Sequence, residues 1–192
     1  DIIINIFRKY HIHYFFYIGG NDSMDTVGKM SRYVKEHQMD VKVIGIPKTI
    51  DNDLVVTDHT PGFGSAARYV AASVLEMAHD TYIYNTKSVL IAEIMGRDAG
   101  WLTAASVLAR NSYSRAPHLI YLPEHPFSKE QFIEDIKAQF KQREHIVIAV
   151  SEGIRLADGR YICELGSSGD YVDAFGHKQL AGTATYLANF LA

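Results

Sequence analysis

Cys163 is the only cysteine in this sequence, so no intrachain disulfide can form. The fold must be held by packing, and a reducing compartment, the cytoplasm, is the expected location. There is no apolar run of about 18 residues, and none of the chain reads as a membrane span. The first residues do not read as a signal peptide, because no basic segment leads into an apolar run and a small-residue cleavage site. Positive charge is not in excess: 19 Lys and Arg against 22 Asp and Glu give a formal net charge of −3. That gives no electrostatic invitation to nucleic acid, whose binding needs a basic face. An anionic small molecule remains possible if cations are gathered locally. His11 and His13 stand two apart with no third ligand nearby, and a chance pair is favoured over a metal site. Repeats, low-complexity tracts and Gly/Ser linkers are missing, so no interior boundary is expected in 1–192. The 192 residues suffice for one sizeable core.

What is present is an alternation of two periods. Tyr14–Ile18, Val41–Ile46, Val89–Ile94, His118–Leu122 and Ile146–Val150 are short apolar runs, as expected of parallel strands covered on both faces. Between them lie helical stripes: Met24, Val27, Met30 and Val34; then Phe63, Ala67, Val70, Val74 and Met77; then Phe132, Ile133, Ile136 and Phe140. Ser128 with Gln131 predicts a capping box for the third helix, and Asp158-Gly159 predicts a turn. Trp101 opens a helical stretch, Leu102–Leu108, and is placed in packing. Ile2–Arg8 reads as the tail of a helix and Leu180–Ala192 as an apolar helix with no stop signal, so both ends look cut. The expected class is α/β: a mostly parallel sheet flanked by helices in three Rossmann-like layers, incomplete at both ends.

The polar clusters after the strands carry the functional reading. Gly19-Gly20-Asn21-Asp22-Ser23 follows the first strand, Pro47-Lys48-Thr49-Ile50-Asp51-Asn52-Asp53 the second, Met95-Gly96-Arg97-Asp98 the third and Ser151-Glu152-Gly153 the last. Open parallel sheets place ligands at this edge. The first cluster suits a phosphate at a helix start; its bland reading is a tight turn with Asp22 or Ser23 as N-cap. It is neither a dinucleotide fingerprint nor a Walker loop. In the second, Asp51 and Asp53 would share a side if the loop is extended, one accepting a proton and the other helping to organise a metal. Lys48 there would neutralise phosphoryl oxygens. Its bland reading is an Asx-rich turn. Arg97 as a surface ion pair, Glu152 as a turn cap and Met95 as core are the corresponding alternatives.

GGNDS, PKTIDND, GFGSA and MGRDAGW, in this order, resemble the 6-phosphofructokinase family from about Tyr14 to the C-terminus, and most closely its pyrophosphate-using members. The resemblance implies a partial catalytic region that moves phosphate from pyrophosphate to the 1-hydroxyl of fructose 6-phosphate, reversibly, in glycolysis. It implies Asp51 as general base and Arg97 as stabiliser of the transferring group. Thr49, Asp53, Met95, Gly96 and Glu152 fall at substrate-binding positions, and Gly20, Asp22, Ser23 and Lys48 at the phosphoryl donor. It further implies Mg²⁺, small-molecule substrates without nucleic acid or membrane, and a homo-oligomer, dimer or tetramer, in which Lys87 is a candidate for reaching a neighbour. A Gly-rich loop before Asp1 and an Arg/His segment for the 6-phosphate are not in the sequence, so the chain alone is expected to make an incomplete site.

Asp22 argues for the donor. ATP-using relatives usually carry glycine there, and a carboxylate both fills the space and repels a third phosphate. Two unit charges ~4 Å apart at an effective dielectric of ~20 repel by about 4 kcal/mol before screening. Asn21 departs from the aspartate many relatives place near the metal, which leaves Asp22, Asp53 or pyrophosphate itself to hold it. The competing expectations are an ATP-dependent 6-phosphofructokinase and, on Asn21, a non-catalytic regulatory subunit of a phosphofructokinase complex.

Overall fold

A computed structural model describes residues 2–166 and 182–192. The chain forms two compact units, Asp1–Thr49 and Ile50–Ala192.

The first unit runs α1 (Ile2–Lys9), β1 (Tyr14–Gly19), α2 (Asn21–Glu36), β2 (Lys42–Pro47). Its strands pair in parallel, from Tyr14 opposite Lys42 to Gly19 opposite Pro47. Parallel pairing needs a crossover, and α2 supplies it. The Met24–Val34 stripe turns inward as its spacing predicts. Val34 is buried with Ile4, Phe7 and Val41, and Met30 packs against them. At Gly45 the absent side chain admits the stripe itself: a Cβ there would lie 2.9 Å from Met24 Sδ and 3.2 Å from Val27 Cγ1. The Ile2–Arg8 stretch is helical as expected, within Ile2–Lys9. His13 is matched with Asp40, Nδ1 to Oδ2 at 3.1 Å.

The second unit contains α3 (Phe63–Thr81), β3 (Ser88–Ile94), α4 (Trp101–Ala105) with a 3₁₀ turn at Ser106–Ala109, β4 (Leu119–Tyr121), α5 (Lys129–Phe140), β5 (His145–Ser151) and α6 (Thr183–Leu191). Its sheet is parallel throughout, in the order β3-β5-β4. β5 is central and its residues from Ile146 to Ser151 are fully buried, which explains their unbroken apolarity. Alternate side chains divide between two faces. Ile146, Ile148 and Val150 pack with Phe132, Ile136 and Leu187. Val147 and Ala149 pack with Val74, Ala78 and Leu102. Helices thus cover both faces, and each buried aliphatic side chain contributes roughly 1.5–3 kcal/mol.

Local expectations needed correction in three places. Trp101 does open α4 but is 56% exposed, and Leu102 is the residue buried there. The five-residue helix turns only Leu102 and Thr103 inward. The capping box is half formed: Ser128 Oγ accepts from Gln131 N–H at 3.2 Å, but Gln131 Nε2 donates to Asp135 at 2.8 Å instead of reaching back. β4 is shorter than His118–Leu122 by one residue at each end; at its start the His118 ring joins the ladder, its Nδ1 accepting from Val147 N–H at 2.9 Å. Burial, with Arg143 and Arg110 nearby, lowers its pKa to about 4, which keeps that nitrogen an acceptor. The Asp158-Gly159 turn forms, with Gly159 at φ 88° and Leu156 N–H donating to Arg160 O. The last helix starts at Thr183; Leu180 and Ala181 lie outside the described residues.

Candidate active site

In the first unit, β1 passes into α2 through the single residue Gly20, the N-cap. No side chain caps this helix, so neither Asp22 nor Ser23 has the capping role of the bland reading. The first-turn amides point out of the helix end and, with the helix dipole, favour an anion. Asp22 sits in that first turn and brings a negative charge of its own to it. Lys48 N–H donates to Gly19 O at 2.9 Å, so the two motifs meet at the carboxyl ends of β1 and β2. A Cβ on Gly20 would stand 3.9 Å from Lys48 O. Gly19 has a different use from the ligand approach expected of both glycines. A Cβ there would fall 2.1 Å from Ser23 Oγ, so its bareness makes room for Ser23. Lys48 is exposed and Thr49 buried.

In the second unit, Asp51 is half-buried and Asp53 exposed. They do not share a side by strand alternation, because Asn52 between them adopts φ 58°. Asparagine tolerates this left-handed conformation better than most residues. Asn52 also staples the loop: its Nδ2 donates to Asp58 O at 3.1 Å, and its Oδ1 accepts from Thr60 N–H at 2.9 Å. GFGSA starts α3, with Gly62 as a left-handed N-cap at φ 92°.

The Met95–Arg97 turn is pressed against the end of β5. Gly96 adopts φ 135°, a region that favours glycine. Its N–H donates to Glu152 Oε1 at 3.0 Å, and its carbonyl accepts from Ser151 Oγ at 2.6 Å. A Cβ on Gly153 would lie 1.8 Å from Arg97 O, so this glycine is required by close backbone approach. Met95 is 51% exposed, against its core reading. Asp98 is ion-paired with Arg155, whose guanidinium lies 4.4 Å from the Tyr161 ring centroid. Lys87 stands at the opposite end of β3, its Nζ 5.6 Å from the Phe140 centroid.

Burial raises the pKa of Glu152 above its ordinary 4.5, opposed by the Gly96 hydrogen bond. The charges of Asp51 and Glu93 raise it further, and Arg97 lowers it. Asp51 and Arg97 therefore each lie within electrostatic range of Glu152. Because the folded protein holds this proton more tightly than the unfolded chain, stability falls as pH rises from about 4.5 toward the folded pKa. Glu152→Gln keeps the acceptor for Gly96 and removes the titration. Urea unfolding from pH 4 to 7 is expected to show the variant gaining stability relative to wild type as pH rises. A pH-independent difference would contradict the assignment.

Among the described residues no group of three or more His, Cys, Asp or Glu could hold a metal ion. The first unit brings together Gly20, Asp22, Ser23 and Lys48. The second brings together Asp51, Gly96, Arg97 and Glu152. Sequence reasoning assigned no role to Asn52, Ser151 or Gly153, although two of these stand in the S-E-G cluster it singled out.

The Phosphofructokinase family model matches residues 1–192. The chain is 45% identical over 189 residues to the pyrophosphate–fructose 6-phosphate 1-phosphotransferase of Rhodospirillum rubrum, spanning 98% of this chain and 46% of that protein. It is 41% identical over 191 residues to that of Halomonas elongata, spanning 98% of this chain and 45% of the relative. The crystal structure of the pyrophosphate-dependent phosphofructokinase from Marinobacter aquaeolei superposes with a TM-score of 0.73 at 38% identity, covering 98% of this chain and 43% of that one. The chain thus spans just under half the length of these relatives.

Proposed function

This chain belongs to the phosphofructokinase family, and on that premise we propose that the whole protein transfers a phosphoryl group from pyrophosphate to the 1-hydroxyl of fructose 6-phosphate. The product is fructose 1,6-bisphosphate, and the reaction runs in both directions in glycolysis. The observation that carries this reading is Glu152 bonded to the Gly96 turn at the carboxyl edge of a parallel sheet, with the charges of Asp51 and Arg97 both acting on it. The names of the relatives support the choice of donor and acceptor.

In the proposed mechanism Asp51 accepts the proton of the 1-hydroxyl. The C1 oxygen forms its bond to phosphorus as the bridging P–O bond of pyrophosphate breaks and orthophosphate leaves. Arg97 offsets charge on the transferring group, a role that works through fixed position. Thr49, Asp53, Met95, Gly96 and Glu152 hold the sugar, with one Glu152 oxygen committed to Gly96 N–H. Gly20, Ser23 and Lys48 hold pyrophosphate. Mg²⁺, with Asp22 or Asp53 as its protein ligand, would neutralise donor oxygens. The reading extends to a cytoplasmic homo-oligomer. Among the described residues no helix is long and apolar enough to cross a membrane.

The test is phosphorylation of fructose 6-phosphate by the whole protein with Mg²⁺ and either pyrophosphate or ATP. Turnover with pyrophosphate alone is expected. Turnover with ATP alone would discard the donor assignment, and none with either from folded protein would favour a regulatory subunit. Asp22→Gly is expected to raise kcat/KM for ATP relative to pyrophosphate by about 10–100-fold, the screened part of the ~4 kcal/mol repulsion. An unchanged ratio would remove Asp22 from donor selection.

A further inference from the structure

Ser151, which ends β5, and the two residues after it meet the Met95–Arg97 turn in three different ways. Glu152 takes the Gly96 N–H, Gly153 abuts the Arg97 carbonyl, and Ser151 takes the Gly96 carbonyl. Ser151 is completely buried and so cannot touch a ligand. Its hydroxyl is nevertheless fully used: it donates to Gly96 O at 2.6 Å and accepts from Gly153 N–H at 3.1 Å. Burying a hydroxyl costs free energy unless it is bonded, so packing alone gives no reason to prefer serine to alanine here.

We propose that Ser151 is a positioning residue for the sugar-contacting turn, fixing the Gly96 peptide so that Met95 and Arg97 are presented in one geometry. This rests on the sugar-kinase reading above. Gly96 has more backbone freedom than any other residue type would have at that position, and its φ of 135° is one choice among several open to it. Hydrogen bonds at both its N–H and its C=O remove that freedom. The Glu152 half comes from a partly exposed carboxylate that a ligand can also engage. The Ser151 half is out of reach of solvent, so a ligand cannot compete for it. Ser151 also ties Gly153 to Gly96, so the two glycines that admit the close approach move as one piece with the strand end. The register supports this, since Ser151 is paired with Ile94, directly before the turn.

The experiment is steady-state kinetics of the whole protein carrying Ser151→Ala or Ser151→Thr, with fructose 6-phosphate and pyrophosphate varied separately. Ser151→Ala is expected to raise KM for fructose 6-phosphate and lower kcat, each by about 10-fold, because small misplacement of contact groups is costly. KM for pyrophosphate should stay within about 2-fold of wild type, since the donor residues lie elsewhere in the chain. Ser151→Thr retains the hydroxyl, suits a strand end and should recover most of the loss. A purely structural serine would lower the melting temperature without separating the two KM values, and that result, or unchanged kinetics, would overturn the proposal. If wild-type protein itself fails to use fructose 6-phosphate, the functional reading fails. The positioning role is then read from amide hydrogen exchange. Faster exchange at Gly96 and Gly153 in Ser151→Ala supports it, and unchanged protection overturns it.

Discussion

Asp51→Asn should lower kcat for fructose 6-phosphate phosphorylation by about 10²–10⁴-fold, the usual contribution of a positioned general base. Unfolding should be nearly unchanged. Asp51 is half-buried in a loop whose shape is held by Asn52, through its bonds to Asp58 O and Thr60 N–H, and the second unit's core is apolar. The amide has the same shape and can still accept a hydrogen bond, but it cannot take the hydroxyl proton. KM for both substrates should move little, because the interaction lost is one made as the proton transfers. A variant retaining near-normal turnover would exclude Asp51 as the base. A variant that loses activity only by failing to fold would show a lowered melting temperature, which the comparison with wild type would expose.

Gly153→Ala is expected to damage both stability and catalysis. The added methyl would stand 1.8 Å from the Arg97 carbonyl oxygen and 2.9 Å from its Cα, so backbone must move. Overpacking of this kind typically costs about 1–3 kcal/mol. The displaced segment carries Arg97, and a shift near 1 Å of such a group can cost roughly 100-fold in rate. The measurement is the denaturation midpoint together with kcat/KM. Gly64→Ala is the control: nothing lies within 4 Å of its Cβ position, and it sits inside α3. That substitution should be neutral or stabilise by about 0.5–1 kcal/mol. Equal behaviour of the two variants would show that Gly153 is not held against Arg97.

Much of this was readable in the residues. The continuous apolarity of Ile146–Val150 announced a strand buried on both faces, and β5 is that strand. The Met24–Val34 stripe announced the inward face of α2. The polar motifs do follow strand ends in each sheet, β1 and β2 in the first unit and β3 and β5 in the second, since a parallel sheet sends each strand's carboxyl end to the same side. Trp101 went the other way: the short helix it opens turns Leu102 and Thr103 inward and leaves its first residue exposed.

The sequence by itself determined the α/β class, the family, and the chemical types offered at the site: carboxylate, guanidinium, ammonium and glycine. Those follow from local periodicity and from motif order, which are properties of neighbouring residues. Only the tertiary structure decided how the groups are aimed. Asn52 breaks the alternation that would have put Asp51 and Asp53 on one side. Gly19 makes room for Ser23, and Gly153 for the Arg97 backbone. Ser151 and Glu152 reach across 55 and 56 residues of chain to bind the two sides of Gly96. Each depends on a distance between backbones that are remote in sequence, and no residue pattern encodes such a distance until the strands have paired.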